Sequence, residues 1–129
     1  MQTLAAVTAC VLLAALGVFQ VCLACGAPWG RFAWGGQHRQ VLPARLRVGS
    51  AISVLLYAAF AIVLLDRADL IDVLPAGFSR PAAWVLTAYL AIGMVMNGIS
   101  RSRSERAVMT PVTLVLAVCS LIVSRGLAG

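Results

Sequence analysis

Four uninterrupted apolar runs dominate this chain, and each is long enough to need a bilayer. Leu4 to Cys25, Val48 to Leu65, Pro81 to Ser100 and Val108 to Ser124 contain no charged side chain. A helix crosses the hydrocarbon core with about 20 apolar residues, the lower limit being about 17. The first and third runs meet this comfortably, the second and fourth narrowly. All four are too long for strands and lack strict alternation, so helices are expected. The third opens on a proline, whose missing N–H costs nothing in a first turn. The expected fold is therefore all-α, a polytopic four-transmembrane-helix bundle forming one membrane domain over residues 1–129.

Composition agrees. The chain is 62% hydrophobic and 11% charged, against about half and about a quarter in soluble domains. A water-soluble fold of this size would have no means of hiding that much apolar surface. A secretory signal is the competing reading of the first run, and Leu23-Ala24-Cys25 loosely matches a lipoprotein cleavage site. Met1-Gln2-Thr3 lacks the basic n-region such signals carry, so the run is read as a helix.

All ten basic residues are arginine, and four acids leave a formal charge of +6. The arginines sit in short segments between apolar runs, which points to membrane orientation and not to nucleic acid. Arginine and alanine without lysine hint at a high-GC bacterial genome. The first connection, from Gly26 to Arg47, and the third, from Arg101 to Ala107, lie on one side and hold seven arginines. The other side holds Arg67, Arg80 and Arg125. The positive-inside rule then places connections one and three in the cytoplasm and both termini outside, in the cell (inner) membrane. Anionic lipids are the expected partners of the arginine-rich face, at about 1 kcal/mol per arginine before mutual repulsion. A protein partner or a homo-oligomer is compatible with the same pattern.

The first connection is irregular. It carries Trp29, Phe32 and Trp34, four glycines (Gly26, Gly30, Gly35, Gly36) and Pro28 and Pro43. Such a segment suits an interfacial layer between helices one and two. It serves either as an anchor, with tryptophans at headgroup depth, or as a lid that binds a ligand or headgroup through Arg31, Trp34, Gln37 and His38. His38 is the sole histidine and would be a proton carrier if perturbed. With no Cys, Asp or Glu close by in sequence, it does not suggest a metal site. No motif calls for a cofactor.

Small and polar residues recur at helical spacing. Gly49, Ser53, Tyr57 and Ala61 form one stripe, Tyr89, Gly93 and Asn97 a second, and Thr113, Ala117, Ser120 and Ser124 a third; Gln20 follows Gly17 on the first helix. Small residues allow close helix approach, and amides or hydroxyls bond across it. Gln20, Ser53 and Thr113 lie about one and a half turns from the inner ends of their helices, and Asn97 about one turn. They are expected to converge on a polar pocket under the glycine-rich connection, or else to act singly as interhelical glue. The outer half looks plain.

Cys22 and Cys25 form a C-x-x-C, as in quinone-linked membrane thiol oxidoreductases, but Cys10 and Cys119 lie in mid-helix and offer no second pair. Asp66, Asp69 and Asp72 share a side if Leu65 to Leu74 is a short helix. Glu105, the only acid on the arginine-rich side, is expected to pair with Arg45 or Arg47. No apolar run contains the embedded acid or base on which ion-coupled transporters depend, which weakens a small-permease reading.

Gly26-Ala27-Pro28-Trp29-Gly30, Ala33-Trp34-Gly35-Gly36, Leu42-Pro43, Leu46-Arg47, Met96-Asn97, Glu105-Arg106 and Met109-Thr110-Pro111 together form a pattern. It resembles that of a group of small, uncharacterised four-helix integral membrane proteins of bacteria. The resemblance covers most of the chain and implies architecture and location, with no activity. The sequence thus leads to a small-ligand, lipid or partner-binding module or accessory subunit, with thiol oxidoreductase and permease as alternatives.

Overall fold

The computed structural model describes residues 1–126. Four helices cross in alternating directions: α1 (Gln2–Ala24), α2 (Ala44–Arg67), α3 (Ser79–Gly98) and α4 (Arg103–Arg125). All four are long and apolar enough to span a membrane, and no strand forms among the described residues. At 23 residues, α1 reaches about 34 Å, enough for a hydrocarbon core of about 30 Å. The outward faces are apolar: Leu55 and Val85 are each 71% exposed, an arrangement that lipid stabilises and water does not.

The helices extend beyond the uncharged runs. Arg45 and Arg47 belong to the first turn of α2, and Arg103, Glu105 and Arg106 to the start of α4. Charge does not end a helix that has caps. Pro43 precedes α2 in extended conformation, and the Ser102 side chain accepts the Glu105 N–H at 3.3 Å, an N-cap on α4. The third connection therefore shrinks to residues 99–102. Pro111 lies inside α4, where it deprives the Ala107 carbonyl of its helical partner.

Packing divides the bundle into two halves. Near the termini, Ala5, Ala6 and Ala9 of α1 meet Leu64 of α2, Leu86 and Leu90 of α3, and Leu116, Cys119 and Val123 of α4 in one core. The alanines are 0–5% exposed, and their small side chains allow α1 to approach closely. At the other end, under the first connection, the core reduces to Leu23, Ala33 and Leu42 with Phe19 and Leu46. Helix α3 packs chiefly on α4 and α1 chiefly on α2, while the α2–α3 seam is thin. The bundle is closed at its terminal end and loose at its lid end.

The terminal end is also more polar than its sequence suggests. Thr87 Oγ1 lies 2.7 Å from Ser120 Oγ and 2.9 Å from Ser124 Oγ, and donates to Ala83 O at 2.9 Å. Arg67 donates to Ser124 O at 3.1 Å, and Gln2 donates to Arg67 O at 3.1 Å. Between α2 and α3, no short helix forms over Leu65 to Leu74. The chain turns after Arg67, with Asp69 at φ 60°, and Asp66 Oδ2 accepts the Val73 and Leu74 amides at 3.0 Å. Asp66 is consumed in holding this turn, so the three aspartates do not share a helix side.

Candidate functional site

The lid is built by the first connection folding back on itself. Gly30 N donates to Gln40 O at 2.8 Å and Arg31 N to Arg39 O at 3.3 Å, around two 3-10 turns at Gly30–Phe32 and Trp34–Gly36. Glycine is required at Gly30, where a Cβ would overlap the His38 carbonyl. It is required again at Gly36, which has φ 71° and abuts the Ser102 side chain. Ser102 Oγ donates to Arg31 O, and Gly35 N donates to Glu105 Oε2 at 3.0 Å. The lid is thereby latched to the first turn of α4.

This latch corrects the expected ion pair. Glu105 is 5% exposed and accepts a backbone amide in place of an arginine. Arg47 instead turns to α1, donating Nε to Ala24 O at 3.0 Å and so satisfying a carbonyl at that helix's end.

Under the lid, Gln20, Ser53, Asn97 and Thr113 border one chamber of about 210 Å³, together with Trp34, Tyr57 and Glu105. Gln20 Nε2 donates to Tyr57 Oη at 3.3 Å, while Gln20 Oε1 is buried without a partner among the described residues. Asn97 Nδ2 donates to Thr113 Oγ1 at 3.3 Å, which donates in turn to Met109 O at 2.7 Å. Ser53 Oγ donates within its own helix, to Gly49 O at 3.0 Å. Trp34 closes the chamber from above. Its Nε1 donates to Ser50 Oγ at 3.2 Å, and its ring lies so close to Gly49 that a Cβ there would sit 2.9 Å from it.

The chamber adjoins a larger cleft of about 800 Å³, within the usual 300–1,000 Å³ of ligand sites. Trp34, Tyr57, Asn97, Glu105 and Thr113 border both spaces. The cleft follows the thin α2–α3 seam. Tyr57, Phe60 and Tyr89 form an aromatic file along it, with centroids 6.2 Å apart for Tyr57–Phe60 and 5.5 Å for Phe60–Tyr89. Gly93 lines it too, and apart from its own stretch of helix no atom lies within 4 Å of the position a Cβ would take. The α3 stripe of Tyr89, Gly93 and Asn97 is thus a cavity wall, bonded across to α4, among the described residues, only through Asn97.

The lid residues divide. Trp34 and Gln37 line the cleft. Arg31 does not: it is exposed, with its guanidinium 5.0 Å from the Phe32 ring centroid, beside a separate apolar groove between α1 and α4. His38 borders neither space; it is half-buried, and its backbone faces Gly30. Among the described residues no three His, Cys, Asp or Glu side chains gather as metal ligands. Cys22 and Cys25 close α1 as free thiols, while Cys119 is buried in the opposite half.

Helical spacing does not single out Glu105, Tyr57 or Ser50 for the chamber, or Thr87 for the cluster at the closed end. Tyr57 was visible on the α2 stripe, and Glu105 as the lone acid on its side. Ser50 and Thr87 gave no such signal.

The arrangement is an apolar slot open along a helix seam, with hydrogen-bonding groups at one end. Comparison of the chain with family models, with curated proteins and with solved structures finds no match.

Proposed function

We propose that this protein is a membrane-embedded binding module for a small amphiphile, which enters sideways between α2 and α3. Its apolar part lies along Tyr57, Phe60 and Tyr89. Its polar end meets Asn97, Gln20 and Glu105 beneath the lid. The observation that carries this reading is the cleft of about 800 Å³ on the thin α2–α3 seam, graded from aromatic to polar. Gly93 strengthens it, since an empty space beside a glycine favours an occupant over helix contact. We place the lid end in the cytoplasm of a bacterial cell membrane, following the seven-to-three arginine bias.

The packed terminal half favours holding a ligand over passing it across the membrane, because Ala5, Ala6, Ala9, Leu64 and Val123 close the bundle there. Thiol exchange is disfavoured by the burial of Cys119 in that core, out of reach of Cys22 and Cys25.

The test is photo-crosslinking in native membranes. A benzoylphenylalanine at Met96, which lines the cleft, should yield a lipid-extractable adduct, whereas one at the lipid-facing Val115 should give only scattered bulk lipid. Identical adducts at the two positions would count against a specific occupant.

A further inference from the structure

The cleft presents opposite charges at different depths, and these specify the head of its occupant. Glu105 is the only acid at the lid end of the chain, because the three aspartates follow at the far end of α2. It is 5% exposed and borders both cleft and chamber. Its contact with the Gly35 amide satisfies one oxygen but supplies no opposing charge. A buried carboxylate among Leu16, Trp34 and Tyr57 calls for a cation or further donors. Three of the chamber's donors are engaged elsewhere, Trp34 on Ser50, Ser53 on Gly49 and Thr113 on Met109, and none of its remaining donors carries a charge. Arg101 also lines the cleft, but it is exposed, in the short α3–α4 connection. The cation-seeking group is therefore inside and the anion-seeking group at the mouth.

We propose that the cleft recognises an aminophospholipid head, with its primary ammonium against Glu105 and its phosphate at Arg101. One acyl chain runs past Gly93 along the aromatic file, and the other stays in the bilayer through the open seam. A primary ammonium brings three donors to the carboxylate and to the polar lining it shares with Gln20 and Asn97. A trimethylammonium head brings none, and a glycerol head carries no cation. The assignment rests on the amphiphile-binding reading, which does not depend on it.

Native mass spectrometry of the full chain in micelles tests both separately. Phosphatidylethanolamine, phosphatidylcholine and phosphatidylglycerol are titrated against wild type, Glu105→Gln, Arg101→Gln and Gly93→Leu. Wild type should retain phosphatidylethanolamine about tenfold over the other two, which corresponds to about 1.4 kcal/mol. Glu105→Gln still accepts the Gly35 amide, so the lid stays latched, and its preference should fall to about twofold or less. Arg101→Gln should weaken all three lipids together, and an unchanged profile would overturn its role. Equal retention of the three lipids by wild type, all lost in Gly93→Leu, would overturn the head assignment and leave the amphiphile reading standing. A preference for phosphatidylglycerol would overturn the assignment in favour of a purely anionic head. Retention indifferent to Gly93→Leu would overturn both.

Discussion

Replacing Thr87 by valine removes one hydroxyl while nearly keeping the shape of the side chain. A hydroxyl has one proton and two lone pairs, and Thr87 uses all three. It donates to Ala83 O at 2.9 Å and so must accept from Ser120 at 2.7 Å and Ser124 at 2.9 Å. Valine forfeits both interhelical bonds. Bonds of this kind inside membranes average about 0.6 kcal/mol and reach about 1.7. The expected loss is about 1.2 kcal/mol, with an upper bound of about 3.4. The two serines are 0% and 1% exposed, so water offers them no replacement. They can fall back on carbonyls of their own helix, which holds the loss towards the lower figure. Steric-trap or denaturant unfolding in bicelles would measure it, and a Thr87→Val/Ser120→Ala cycle should return a coupling of about 0.6 kcal/mol. A coupling indistinguishable from zero, with wild-type stability in each single variant, would refute the reasoning. Because the cluster lies at the closed end, amphiphile retention should not change.

The lid supplies a contrasting set. Gly30→Ala should destabilise by more than the helix-propensity scale alone allows, since its Cβ meets the His38 carbonyl; hydrogen exchange at the amides of residues 30 and 31 should rise. Gly17→Ala has open space around it and should be neutral or stabilising by up to about 1 kcal/mol, read in the same unfolding assay. Glu105→Leu leaves the Gly35 amide without its acceptor and should cost about 1–3 kcal/mol, with faster proteolysis between residues 30 and 40. Cys22→Ser/Cys25→Ser should keep amphiphile retention at the wild-type level, measured by quantitative lipid extraction.

The architecture was legible because bilayer thickness translates directly into run length, and charge-free runs of that length have few other uses. Helix ends were less legible. Uncharged runs mark what lies in hydrocarbon, whereas a helix continues while its backbone is satisfied, as Ser102 does for the start of α4. The polar convergence of Gln20, Ser53, Asn97 and Thr113 was readable from their common depth. What depth omits is rotation about each helix axis, so Tyr57 and Glu105 emerged only with the packing. That Arg31 and His38 lie away from the cleft was illegible for a related reason. Composition brings a loop to the interface but does not say which side chains the glycines turn inward. Thr87 was hidden because an isolated hydroxyl in an apolar helix carries no periodic signal until Ser120 and Ser124 face it.

The α2–α3 cleft is proposed to hold an amphiphile. The direct measurement is native mass spectrometry of protein extracted together with its surrounding membrane, comparing wild type with Gly93→Leu. Leucine enters open space beside Gly93, so folding and stability should persist. Wild type should release one tightly held amphiphile per chain, and the variant should release about a tenth as much or less. The same stoichiometry from both proteins would contradict the account.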